Sequence, residues 1–184
     1  MRTEKWLAYV PTVFVVLLIA FYRLLPHPWN FTPVCATAIF GGMYLNKKYA
    51  IALPLLSMIV ADSVLGMDWI VTPVIYACIA SSALIGSWIK NERSHTSKFI
   101  VRTLGGTIAS AVIFFVFTNF ATWLAYDTYT KDMTGLIQCY VMAIPFFRNT
   151  LAGDVLFISV FVAIYEWMNR AIAARMKPAT VGTK

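Results

Sequence analysis

The stretch FIVRTLGGTIASAVIFFVFTNFATWLA, residues 99–125, carries a single charge, Arg102. A helix over it would be about 40 Å long at 1.5 Å per residue, enough to cross the roughly 30 Å hydrocarbon layer of a bilayer. Similar apolar runs extend outward on both sides, over 6–25, 31–46, 49–67 and 69–89 before it and 150–170 after it. The run 31–46 is the shortest. A further apolar stretch, 135–147, is separated from the last run by Pro145 and the polar Arg148-Asn149-Thr150. A single helix over both would reach about 54 Å, so the sequence predicts a break, with Asn149 as an N-cap. The stretch 135–147 is then a short outer-surface or re-entrant helix leading into a sixth span.

Composition agrees. Of the 184 residues 60% are hydrophobic and 12% charged, and the mean hydropathy is +0.72. A soluble domain has about a quarter of its residues charged. Such an apolar chain cannot cover itself with polar surface, so lipid is its solvent. The fold class expected is an all-α polytopic membrane helix bundle, a single integral membrane domain over 1–184. The N-terminus, with Arg2 and Lys5 ahead of an apolar run, has the outline of a signal peptide. The run is long enough to span and ends without a small-residue cleavage site, which favours an uncleaved first span.

Charge assigns the sides. Twelve of the fifteen Lys and Arg fall at the N-terminus, the 46–49 turn, the 90–102 loop and the C-terminus. Arg23, Lys131 and Arg148 lie on the other side, together with Asp62, Asp68, Asp127, Asp132 and Asp154. Alternating bias of this kind requires an even number of spans. Six spans with both termini in the cytoplasm of a cell inner (plasma) membrane satisfy it. The net charge of +7 is thereby explained by topology, and no aromatic-interleaved basic patch suggests nucleic acid. Cys35, Cys78 and Cys139 lie singly in apolar runs, without metal-ligand spacing.

Ionisable groups inside membrane segments are costly and face a bundle interior or a cavity. Counted from the basic ends of their runs, Asp62, Asn119 and Asp154 lie about 21, 25 and 24 Å deep. Trp123 follows Asn119 by one turn, and Arg148 and Asn149 stand just above Asp154. The layer predicts a pocket open to the outside. Its bland alternative is a helix-locking polar layer, with Trp29, Trp69, Trp123 and Tyr126 as an interfacial belt. His27, between two prolines, reads as a turn residue. Pairs of small residues at Ala38/Gly42, Ser82/Gly86, Ala83/Ser87, Gly105/Ala109 and Gly106/Ser110 permit close helix packing. No phosphate-binding loop, zinc-protease or nucleophile-elbow motif is present, so the chain is not expected to be an enzyme and no cofactor is indicated.

The stretches 30–34 (NFTPV), 40–42 (FGG), 61–66 (ADSVLG), 117–123 (FTNFATW) and 144–149 (IPFFRN) resemble an uncharacterised family of small bacterial six-helix membrane proteins. That family is similar in turn to the substrate-binding S components of energy-coupling factor (ECF) vitamin transporters. The resemblance implies capture of a vitamin-like small molecule from the outer side for uptake, with ECF transmembrane and ATPase partners. If the outer polar layer is such a binding site, Asn30, Asp62, Asn119, Arg148, Asn149 and Asp154 are its candidate polar contacts and Trp123 and Tyr140 its stacking surfaces. Cobalamin is an option within it, with Cys78 the nearest candidate cobalt ligand. The first helix lacks the small-residue pattern by which S components dock; its counterparts here lie on later helices. The competing expectation is a structural or accessory membrane protein whose polar layer only packs helices.

Overall fold

A computed structural model describes residues 21–22, 25–26, 28–90 and 96–175. Among the described residues lie five helices: α1 Val34–Tyr44, α2 Lys47–Leu65, α3 Val71–Ile89, α4 Thr96–Ala125 and α5 Met133–Arg175. Four of them, α2 to α5, are long and apolar enough to cross a membrane. The chain is thus an all-α, multi-pass membrane protein, with four candidate spans in the described residues and not the six expected. The first expected span, His27, the acid and bases at 91–95 and both termini assigned to the cytoplasm lie largely or wholly outside those residues.

The second expected span, 31–46, is corrected to an 11-residue helix, about 17 Å long and half a hydrocarbon layer. It can be short because protein surrounds it. Residues 35–43 are all buried, and α1 packs against α2, α3, α4 and α5. Backbone ends at membrane depth are tolerated where protein encloses them. The tightest contact is with α3, where Gly42 meets Gly86. A Cβ on Gly86 would lie 2.1 Å from the Ile39 carbonyl oxygen, and one on Gly42 would lie 2.2 Å from that of Ala83. Two of the small-residue pairs thereby bring backbone directly against backbone.

The expected break near 148 is also corrected. Residues 133–175 form one helix of 43 residues with Pro145 inside it, about 64 Å long, so it must tilt or project past the hydrocarbon. Packing against α4 holds it through the polar stretch. The Tyr140 hydroxyl donates to the Val116 carbonyl at 2.7 Å, and Phe115 meets Phe147 at 4.8 Å between centroids. The three polar residues are accommodated without ending the helix. Arg148 is exposed, the Asn149 amide donates to the Trp29 carbonyl at 3.1 Å, and the Thr150 hydroxyl donates back to the Phe146 carbonyl at 3.0 Å. Asn149 is consequently a mid-helix residue and not an N-cap.

Buried hydroxyls elsewhere are satisfied in the same way. Thr103 and Thr107 each donate to the carbonyl four residues back, which keeps a polar group in an apolar interior from standing unpaired. Ser82 donates to the Cys78 carbonyl at 2.8 Å, and its oxygen lies 2.6 Å from that of Ser110. One hydroxyl proton serves one bond, so Ser110 is the donor between the two serines and links α4 to α3.

The two ends of the bundle differ in charge. At one, Asp68 accepts from the Ile70 and Val71 amides at 2.8 and 2.6 Å and from the Tyr126 hydroxyl. These bonds join the loop 66–70 to the loop 126–132. They hold the Asp68 carboxyl below the usual carboxylate range, the Tyr126 bond contributing most. Asp132 is lowered likewise, first by the Gly135 amide. At the other end Lys90 donates to the Leu45 carbonyl at 3.3 Å, and the Arg102 guanidinium lies 4.5 Å over the Trp88 ring.

Candidate functional site

The segment 28–33, PWNFTP, runs without helix into the start of α1. Two prolines five positions apart lack the N–H groups that a helix would need, and Asn30 takes the left-handed backbone conformation at φ 58°, which Asn tolerates better than most residues. The segment lies along α5. Phe31 seats on Gly153, where a Cβ would come within 3.3 Å of its ring, and its ring meets Phe157 at 5.5 Å.

This brings the first turn of α1 to Asp154. The Ala36 amide donates to Asp154 Oδ1 at 3.1 Å. The first amides of a helix have no intrahelical acceptor, and the helix dipole favours negative charge beside them. A carboxylate from α5 therefore closes the start of a helix that begins inside the bundle. Asp154 is 1% exposed, and its other oxygen, Oδ2, has no hydrogen-bond partner among the described residues.

Asp154 lines a cavity of about 140 Å³ with Asn30, Thr32, Cys35, Phe114 and Thr150. A second cavity of about 210 Å³ shares Asn30, Ile75, Phe114 and Thr150 with it and adds Asn119, Phe115 and Phe147. The two adjoin through those shared walls. Met58, Phe114 and Asp154 stand about 15, 18 and 24 Å along their helices from Lys48, Arg102 and Arg170, so the space lies within the hydrocarbon and not at its surface.

Of the residues singled out in the sequence, Asn30, Asn119 and Asp154 are brought together around this space. Asn119 turns its amide onto its own helix, donating to the Phe115 carbonyl at 2.7 Å. Asp62 is buried at 5% exposure but does not line either cavity; its Oδ2 accepts from the Tyr76 hydroxyl at 2.8 Å. Asp62 and Asp154 therefore do not share a cavity. Trp123 donates its indole N–H to the Thr130 carbonyl at 2.9 Å and braces the loop 126–132. Tyr140 packs edge-on to Phe115 behind the cavity wall. Arg148 and Asn149 line neither cavity, and Asn149 instead holds the 28–33 segment. Cys78 is buried on α3 and also lies outside the cavity walls.

Sequence reasoning missed Thr150, Cys35 and Phe114. In the sequence Thr150 belongs to the polar run that suggests a helix break, and Cys35 and Phe114 are ordinary apolar positions. The one available signal was the pair of prolines bracketing 28–33, which marks non-helical backbone inside an apolar run. Among the described residues no three His, Cys, Asp or Glu side chains converge as they would to hold a metal ion.

Fold and site together define a multi-pass membrane bundle that encloses a short helix, with a carboxylate at that helix's buried start. The chain belongs to DUF6580, a family of unknown function, whose model matches residues 3–177. No curated protein and no solved structure matches it. The family match carries no activity and no link to ECF S components.

Proposed function

We propose that the protein is a membrane-embedded capture component, not an enzyme, that binds a vitamin-like small molecule for uptake. The observation that carries this reading is the pair of adjoining cavities of about 140 and 210 Å³ that lie between the helices. They run from Asn119 at one end to the half-satisfied carboxylate of Asp154 at the other. Apolar pockets with a few convergent polar groups are where proteins hold small molecules. Irregular backbone at a half-length helix is where membrane transporters place substrate. The positive-inside rule turns the end bearing Asp68, Asp127 and Asp132 outward from a plasma (inner) membrane, so the ligand enters from outside. The chain carries no nucleotide-binding motif, and energising partners of the ECF type would be separate chains. Cavities of this size favour a compact ligand over a corrinoid such as cobalamin.

The test is thermal unfolding of the purified protein in detergent against a panel of compact vitamins and corrinoids. A ligand at a hundred times its Kd stabilises by about 2.7 kcal/mol, or roughly 5–10 °C for a chain of this size. Asn119→Ala should abolish the shift. The second reading, a polar layer that only packs helices, is favoured by the Asn119 amide's bond to its own helix. It expects Asn119→Ala to alter stability while no compound restores it, and a panel without a single shift would decide for it.

A further inference from the structure

We propose that the ligand is an organic ammonium with a flat apolar body, its N–H donors meeting Asp154 Oδ2 and its body lying in the adjoining cavity beside Phe114, Phe115 and Phe147. The inference rests on the reading of the two cavities as a ligand site.

A buried acceptor without a partner is uncommon, because nothing replaces the water it gave up. Asp154 Oδ2 is such an acceptor, and its residue lines the smaller cavity. No described cation is placed to meet it. Lys131 binds the carbonyls of the loop 126–132 and its neighbours, Lys90 that of Leu45, and Arg102 stands over Trp88. Arg148 is exposed. The start of α1 offsets only part of the charge of an ionised carboxylate, and a cationic ligand would complement the remainder.

Two groups on the polar wall are left as acceptors, beside Asn30, Thr32 and Cys35, whose side chains can also donate. Oδ1 of Asp154 is occupied by the Ala36 amide, which leaves Oδ2 to the cavity. Thr150 spends its proton on the Phe146 carbonyl, so toward the cavity its oxygen can only accept. A protonated amine has donors and no acceptor and fits these two acceptors. The volumes divide the ligand in two. The smaller cavity, about 140 Å³ and lined by Asp154, takes the ammonium head. The larger has phenylalanine walls, which suit a flat ring and whose faces attract a nearby cation.

The full chain in detergent is titrated with benzylamine, benzyl alcohol and toluene, followed by calorimetry and thermal unfolding. Benzylamine should bind at least about tenfold more tightly than benzyl alcohol, the difference between a charge-assisted and a neutral hydrogen bond. Asp154→Asn keeps an oxygen for the Ala36 amide, so the start of α1 stays closed. It should weaken benzylamine by about thirtyfold or more, as truncating one side of a buried charge pair does, and leave toluene unchanged. If Asp154→Asn does not fold, Thr150→Val removes the second acceptor at constant shape and should cost benzylamine selectively. Equal binding of the amine and the alcohol, or full amine binding in the Asn and Val variants, overturns the ammonium assignment and leaves the cavities a ligand site. A response in the vitamin panel with none to these three probes does the same. Silence in both panels overturns the ligand site itself.

Discussion

Gly86→Ala is expected to be the most damaging single-methyl change on α3. The added Cβ would sit 2.1 Å from the Ile39 carbonyl oxygen and 2.8 and 2.9 Å from Ile39 C and Cα. All three atoms are backbone of α1, so no side chain can swing aside. Relieving the clash to 3.0 Å needs about 0.9 Å of separation between α1 and α3, and a gap of that size forfeits a quarter to a half of each contact it opens. Overpacking of this kind costs about 1–3 kcal/mol, which for a chain of this length lowers the melting temperature by roughly 3–10 °C. Gly42→Ala meets Ala83 and Gly86 backbone at 2.2 and 2.9 Å and should match it. Gly106→Ala meets only the ends of Ile85 and Ile89 side chains, at 2.8 Å, and should fall between. Gly105→Ala has open space around it, and the gain in helix propensity makes it neutral or stabilising by up to about 1 kcal/mol. Circular dichroism melts of the four variants in one detergent measure the order. If Gly86→Ala and Gly105→Ala melted together, the backbone contact between α1 and α3 would not be the source of bundle stability.

Three further outcomes follow from single contacts. Asp154→Leu leaves the Ala36 amide buried without an acceptor and should destabilise by about 1–3 kcal/mol, whereas Asp154→Asn should lose much less; equal melts would remove the carboxylate from the role of helix cap. Ser82→Ala leaves the Ser110 hydroxyl without its acceptor and should cost about 1–2 kcal/mol, with Ser82→Ala/Ser110→Ala costing less than the two single changes added together; strict additivity in a double-mutant cycle would deny the coupling. The Asp68 carboxyl is held below its ordinary value by Tyr126 and by the Val71 and Ile70 amides. Its contribution is therefore complete above the ordinary aspartate range near pH 4 and lost as pH falls through the lower folded value. Amide exchange at Ile70 and Val71 should accelerate over that window, and an Asp68→Asn variant with the same acid response would show that another group is responsible.

Legibility differed from element to element. The runs 49–67, 69–89 and 99–125 became α2, α3 and α4 with ends within a few residues, because a lipid-facing helix must be apolar over a length set by the bilayer. The small-residue pairs at Ala38/Gly42 and Ser82/Gly86 were also readable as close-packing surfaces, though not which helices they would join. The break at Arg148-Asn149-Thr150 is misread because Asn149 is satisfied by the Trp29 carbonyl 120 residues away, while Arg148 is exposed and Thr150 bonds back onto its own helix. The site was half legible. Asp154 and Asn119 stood out as costly residues in apolar runs, but Asp62 carried the same signal and is satisfied by Tyr76.

By itself the sequence determined that this chain lives in a membrane, where its long helices run and which ends carry basic and acidic charge, because the transfer of apolar and charged groups between water and lipid acts residue by residue. Tertiary structure alone decided that 31–46 shortens to a helix enclosed by protein, that 133–175 stays one helix, and that Asp154 meets the start of α1. Those outcomes depend on partners 118 residues apart in the chain, as Ala36 and Asp154 are, and a buried polar group is costly or satisfied only according to what the fold brings beside it.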